Sequence, residues 1–120
     1  MTRNLLIALS LVAVAAPASA AMTTGTFVTR ARALQAQGVA AVLSPDFQTL
    51  RGEAQAATKQ LKAERAARQA AGKKPIACVP EGQSIGIVDM LDGLDALSPA
   101  EKKLPLKDGY AHVLAKRFPC

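Results

Sequence analysis

Residues 44–75, SPDFQTLRGEAQAATKQLKAERAARQAAGKKP, decide how this chain folds. Ser44 is suited to cap a helix, Pro45 to be its first residue, and Asp46 to meet the positive end of the helix dipole. Phe47, Leu50, Ala54, Ala57 and Leu61 then recur at spacings of three and four, which draws one apolar stripe along a helix. Beyond Leu61 the stripe holds only alanine, and Lys62, Glu64, Arg65 and Arg68 surround it. The last turns, up to Ala71, should therefore project into solvent. Gly72-Lys73-Lys74-Pro75 ends the helix.

Upstream, Thr26 to Gln37 carries Phe27, Ala31 and Leu34 at helical spacing, and Gly38 is placed to stop it. Val39 to Leu43 is a short apolar run that fits either a further helical turn or a buried connection. Downstream, Ile76 to Gln83 contains Cys78-Val79-Pro80 and should be extended, since a residue before proline avoids the helical region. Ser84 is a candidate cap for a third helix with Ile85, Val88, Leu91 and Leu94 or Asp95 on its apolar side, widened by Ile87 and Met90. Gly86 and Gly93 weaken that helix unless another backbone passes close by. Ser98-Pro99-Ala100-Glu101 reads as a capping box opening a short helix that stops before Pro105. Leu106 to Arg117 forms the last helix, with Leu106, Tyr110, Val113 or Leu114, and Phe118 on one side. The class is all-α: a small bundle of roughly four or five helices, one of them long and partly projecting.

The cysteines depend on the first twenty residues. Met1 to Ala20 reads as a cleaved signal peptide, with Arg3 in a basic start, an apolar stretch from Leu5 to Ala16, and Ala18-Ser19-Ala20 as the cleavage site. That stretch is too short to span a bilayer, which needs about 20 residues. The expected localisation is the periplasm, with residues 21–120 as one small helical domain: a basic half, 21–74, and a second half, 75–120. In an oxidising compartment a chain with only Cys78 and Cys120 should join them. The core is thin, with no Trp and only Phe27, Phe47, Phe118 and Tyr110 as aromatics beyond the signal. A bond closing a loop of about forty residues adds about 4 kcal/mol in the chain-entropy treatment.

Charge divides the chain. From Ala21 to Lys74 there are nine basic residues against three acids; from Pro75 onward there are five against six. A basic helix suits nucleic acid, anionic lipid or an acidic protein, and export argues against nucleic acid. Arg51, Lys59, Lys62, Arg65 and Arg68 are candidate partner contacts. Asp89, Asp92 and Asp95 line one edge of the third helix at intervals of three, and form a second candidate strip. His112 is the only histidine and reads as a surface residue. One histidine with two cysteines lacks the ligand number and spacing of a zinc site. There is no EF-hand loop, phosphate-cradling glycine loop, G-x-S-x-G or H-E-x-x-H. No catalytic residue, metal or cofactor is expected, and an enzyme is not the reading.

The pattern Cys78-Val79-Pro80-Glu81-Gly82, then Leu91 and Leu94, then Ala111, Leu114 and Phe118-Pro119-Cys120 resembles the Rap/Tai-type immunity proteins of type VI secretion, which share a C-x-P segment and a final F-P-C. The resemblance covers residues 75–120 and rests on Cys78, Pro80, Phe118, Pro119 and Cys120. It implies an α-helical periplasmic protein, often dimeric, with a Cys78–Cys120 disulfide, that binds and neutralises a toxin attacking the cell wall. The expectation is thus a non-catalytic, protein-binding domain. The alternative is an envelope accessory protein whose basic helix meets an anionic lipid or protein surface. A homodimer is a further partner reading.

Overall fold

Among the described residues, Thr24 is the one polar residue wholly removed from solvent, and two helices meet at it. The computed structural model describes residues 21–120; the signal-peptide reading of Met1 to Ala20 lies outside them. Four α-helices follow in order: α1 (Thr24–Ala36), α2 (Pro45–Ala70), α3 (Ile87–Asp95) and α4 (Leu106–Arg117). Short 3-10 turns occupy Gly38–Leu43 and Glu101–Lys103. Among the described residues the only β feature is an isolated bridge between Thr23 and Pro105.

The start of α1 lies earlier than its apolar spacing implies, because Thr23 caps it: the Thr23 hydroxyl accepts the Thr26 N–H at 3.2 Å. Thr24 then turns inward. Its N–H and its hydroxyl both donate to the Leu104 carbonyl, at 2.9 and 3.0 Å, and the Leu106 N–H donates to Met22 at 3.0 Å. Gly109 makes room for this, since a Cβ there would sit 2.8 Å from Thr24 Cγ2. α1 and α4 are thereby pinned together at their N-terminal ends. Phe27 and Tyr110 meet edge to face across the same pair, with centroids 6.3 Å apart.

Gly38 and Gly72 end α1 and α2 with φ of 63° and 68°, a region open to glycine and costly for other residues. Between them α2 opens as its sequence requires, with the Ser44 hydroxyl accepting the Asp46 N–H. Arg30 of α1 holds Asp46 through an ion pair, with its Nε 3.2 Å from Oδ2. Leu50 and Ala57 are buried, and Phe47, Ala54 and Leu61 pack partly against the core. Past Leu61 the helix is exposed apart from Glu64, which pairs with Lys107 of α4. The projecting turns are real. Val39 to Leu43 forms a helical turn, not a buried connection: Ala41 is buried while Val39, Val42 and Leu43 face out.

α3 departs from its reading. Ser84 does not cap it; Gly86 does, without a side-chain bond. Leu91 and Leu94 enter the core as expected, but Ile87 and Val88 are 89% and 57% exposed. The apolar stripe is continuous, and its first turn overhangs space that no other element fills. Gly93 lets α3 approach α4, but what passes close is a side chain: a Cβ there would lie 2.7 Å from Val113 Cγ1. The Ser98–Glu101 capping box forms with both reciprocal bonds at 3.2 Å. On α4, Leu106, Tyr110 and Val113 are buried, while Leu114 and Phe118 are only partly so. Cys78 and Cys120 are joined, with Cα atoms 4.9 Å apart, and the Cys78 N–H donates to Phe118 at 2.8 Å.

Candidate functional site: an apolar groove with a cationic wall

α2 contributes two adjacent rows of side chains. One is the core row of Leu50, Ala54 and Leu61. Beside it runs a second row, Arg51, Gln55, Thr58, Lys62, Arg65 and Arg68, at steps of three and four, so all six lie along one side of the helix. This second row forms one wall of a groove of about 1240 Å³. Lys59 also borders the groove, half a turn around α2 from Arg68. Phe27, Leu34, Leu50, Leu94 and Tyr110 contribute to the floor. The opposite wall comes from Ile76, Val79 and Ile85 of the crossing segment, together with Ile87 and Val88 at the start of α3.

The lining is apolar apart from its cations and a few neutral polar groups, and no carboxylate faces the groove. Among the described residues, none of Arg51, Lys59, Lys62, Arg65 or Arg68 is paired with an acid. Arg68 makes one local bond, from Nη1 to the Lys74 carbonyl at 3.3 Å. On the floor, burial pushes the Tyr110 hydroxyl up to about 12, so it stays neutral at physiological pH. Among the described residues six large apolar side chains are exposed, and four of them (Val42, Ile76, Ile87 and Val88) line this groove, while Val39 and Leu43 lie outside it.

All five basic candidates border the groove, and four of them, Arg51, Lys62, Arg65 and Arg68, belong to the second row. The acidic candidates are not equivalent to them. Arg32 of α1 reaches both Asp92 and Asp95, with Nη2 at 2.8 and 3.1 Å, and Lys102 Nζ lies 3.5 Å from Asp95. Arg117 of α4 approaches Asp89 at 4.0 Å. Those carboxylates tie α3 to its neighbours and so offer a partner less than their number suggests. His112 is exposed on α4, with Nδ1 3.2 Å from Glu101 Oε2. The Ser98 backbone N–H and hydroxyl, with Lys116 nearby, hold the Glu101 carboxyl below its usual range. This cluster surrounds a helix cap. Among the described residues no three His, Cys, Asp or Glu side chains converge on a common point as a metal site requires, and no helix there is long and apolar enough to cross a membrane.

The second wall escaped sequence reasoning. Its signal was present in Ile85-Gly86-Ile87-Val88, which places more branched apolar side chains in a row than one helical face can bury. Matching protein-family models, curated proteins and solved structures against the chain gives no similar protein.

Proposed function

We propose that this chain is an exported, non-catalytic binding protein that acts by taking another protein into the cation-walled groove. The observation that carries the proposal is the coincidence, in one concave site, of four exposed apolar residues and five cations without acidic partners. Apolar surface left open in a groove and rimmed by charge marks an interaction site, and a protein partner is the occupant that both walls suit. The disulfide supports an oxidising compartment, and the signal reading of Met1 to Ala20 supports the periplasm as that compartment. The C-x-P … F-P-C resemblance adds the more specific proposal that the partner is a wall-degrading toxin, which the chain neutralises as an immunity protein. The envelope-accessory alternative uses the same basic helix against anionic lipid but leaves the opposite wall without a task.

The test is expression of wall-degrading toxins in the periplasm, with and without this chain, followed by purification of the chain from each culture. Protection from lysis together with a stoichiometric toxin complex is the expected result. If no toxin is neutralised and none co-purifies, the immunity proposal is lost.

A further inference from the structure

The groove has a length, a register and a polarity, and together these specify what fits it. From Arg51 to Arg68 its cationic wall runs along α2 for about 26 Å, at 1.5 Å per residue. The charges repeat with helical steps on that wall, and the facing wall and floor are apolar. An occupant must then be apolar on two adjacent sides and anionic along a third, over the length of the groove.

An amphipathic helix has that cross-section, with apolar side chains at i, i+3 and i+4 and carboxylates along one flank. An extended strand does not. It would need an open sheet edge for its backbone bonds, and the only β feature among the described residues is the Thr23–Pro105 bridge, which lies outside the groove lining. A lipid surface is flat, and Ile87 and Val88 line the groove apart from α2, so a planar bilayer would meet the rims and leave the floor uncovered. A second copy of this chain placed face to face brings a groove with the same cations and no carboxylate, so it offers the row no counter-charge.

We infer that the groove receives an acidic amphipathic helix of about five turns, contributed by the partner protein and laid alongside α2. This rests on the protein-binding reading above and adds to it the form and charge of the bound segment. The helix rests its apolar face on Leu50 and Tyr110 and against Ile87 and Val88. Its carboxylates face Arg51, Lys62, Arg65 and Arg68. Because those cations stand at the rim, they govern association rate and partner choice, and their contribution weakens as salt rises.

The probe is a synthetic 18-residue helix with leucine on one face and glutamate along its flank, alongside a counterpart with lysine in place of each glutamate. Binding to the disulfide-bonded chain is measured by fluorescence anisotropy at low and at physiological salt. The acidic peptide should bind at least about tenfold more tightly than the lysine peptide, a difference of about 1.4 kcal/mol, and its advantage should shrink with salt. Lys62→Glu with Arg65→Glu should abolish the preference. Ile87→Asp, at a position already exposed, should weaken both peptides without unfolding the chain. A photoreactive residue on the peptide's apolar face should label α2 and residues 76–88. Equal affinity for the two peptides, labelling elsewhere, or no binding of the acidic peptide overturns the inference. So does competition by phosphatidylglycerol vesicles that bind the chain more tightly than the acidic peptide does. If a toxin binds but the acidic peptide neither binds nor competes, the helix inference falls and the protein-binding proposal stands. If the acidic peptide binds as described and no toxin is neutralised, the inference stands and the immunity proposal falls.

Discussion

The two ends of this small bundle are held by different physics. Around Thr24 and Gly109 the backbones of α1 and the segment entering α4 are in hydrogen-bond contact, and Leu94, Leu106 and Thr24 are almost wholly buried. Around the far turns of α2 and residues 75–85 nothing large is buried. That end depends on one disulfide, the backbone bond from Cys78 to Phe118, the Arg68 bond to Lys74, the Glu64–Lys107 ion pair and the partial packing of Leu61 and Ile85. Burial fixes a segment by removing it from water; a tether fixes it while leaving its surface open. A groove wall that must meet a partner needs the second arrangement, and the Cys78 segment has it.

The largest effect should therefore come from cutting the tether. Cys78→Ser removes a cross-link that contributes up to about 4 kcal/mol in the chain-entropy treatment. The melting temperature should fall markedly, and hydrogen exchange in residues 75–85 should rise most, while α1 and α4 remain the best-protected helices. Equal loss of protection at both ends would mean that the two regions form one cooperative unit. The same variant should lose affinity for the acidic peptide, because one groove wall is no longer held.

Next come glycines at which one substitution should act with opposite sign. Gly109→Ala forces a methyl group into Thr24 and should cost about 1–3 kcal/mol by overpacking. Gly52, in α2, has no neighbouring atom within 4 Å of an added Cβ. Gly52→Ala should stabilise by about 0.5–1 kcal/mol through the unfolded chain and helix propensity. Urea denaturation of both variants measures the pair. Two destabilised variants would show that the open side of α2 is already covered.

The same division explains what could be read in advance. Ser44-Pro45-Asp46, Ser98 with Glu101, Gly38 and Gly72 act within a few residues of themselves, so the ends they mark follow from local chemistry. The stripe to Leu61 and the bare turns after it are local too, because side-chain size alone decides them. Thr24 was invisible: a threonine looks like surface until the Leu104 carbonyl arrives from eighty residues away to satisfy it. The start of α3 was misplaced because Ser84 had a capping side chain and no way to reveal that Gly86 would begin the helix. The five cations were legible as a basic helix. That they face Ile76, Ile87 and Val88 across a groove depends on where the tethered segment crosses, which no local pattern encodes.

A smaller effect should appear in acid. Hydrogen bonding to Arg30 holds the Asp46 carboxyl below its usual range, and the Ser98 cap does the same for Glu101. A carboxyl whose pKa is lower in the folded than in the unfolded chain binds fewer protons when folded, so its stabilisation is present above the unfolded value and is lost as pH falls. Thermal stability should thus hold near neutrality, begin to drop as pH approaches about 4, and continue to drop below it. Asp46→Asn and Glu101→Gln together should flatten that limb of the curve. An unchanged slope would mean that neither carboxylate matters to folding.

The smallest global effect should follow from Glu64→Gln. The Glu64–Lys107 pair is partly exposed, and such pairs contribute about 0–1 kcal/mol. The melting temperature should barely move. Locally the change should be larger, because no bulky apolar side chain anchors α2 beyond Leu61, and this pair is the ionic contact from its far turns to α4. Exchange at Lys62 to Ala71 should accelerate while Leu50 to Ala57 keeps its protection. Glu64 also raises the Lys107 pKa above its ordinary value. A raised lysine binds its proton more tightly in the folded chain, so its contribution is complete below about pH 10 and is lost as pH rises through the folded value. Alkaline solution should therefore loosen the same turns in the wild-type chain and leave the Gln variant unaffected. If Lys62 to Ala71 is instead as well protected as α4 in both proteins, something other than this ion pair covers the far end of α2, and the contrast between a packed end and a tethered end is wrong.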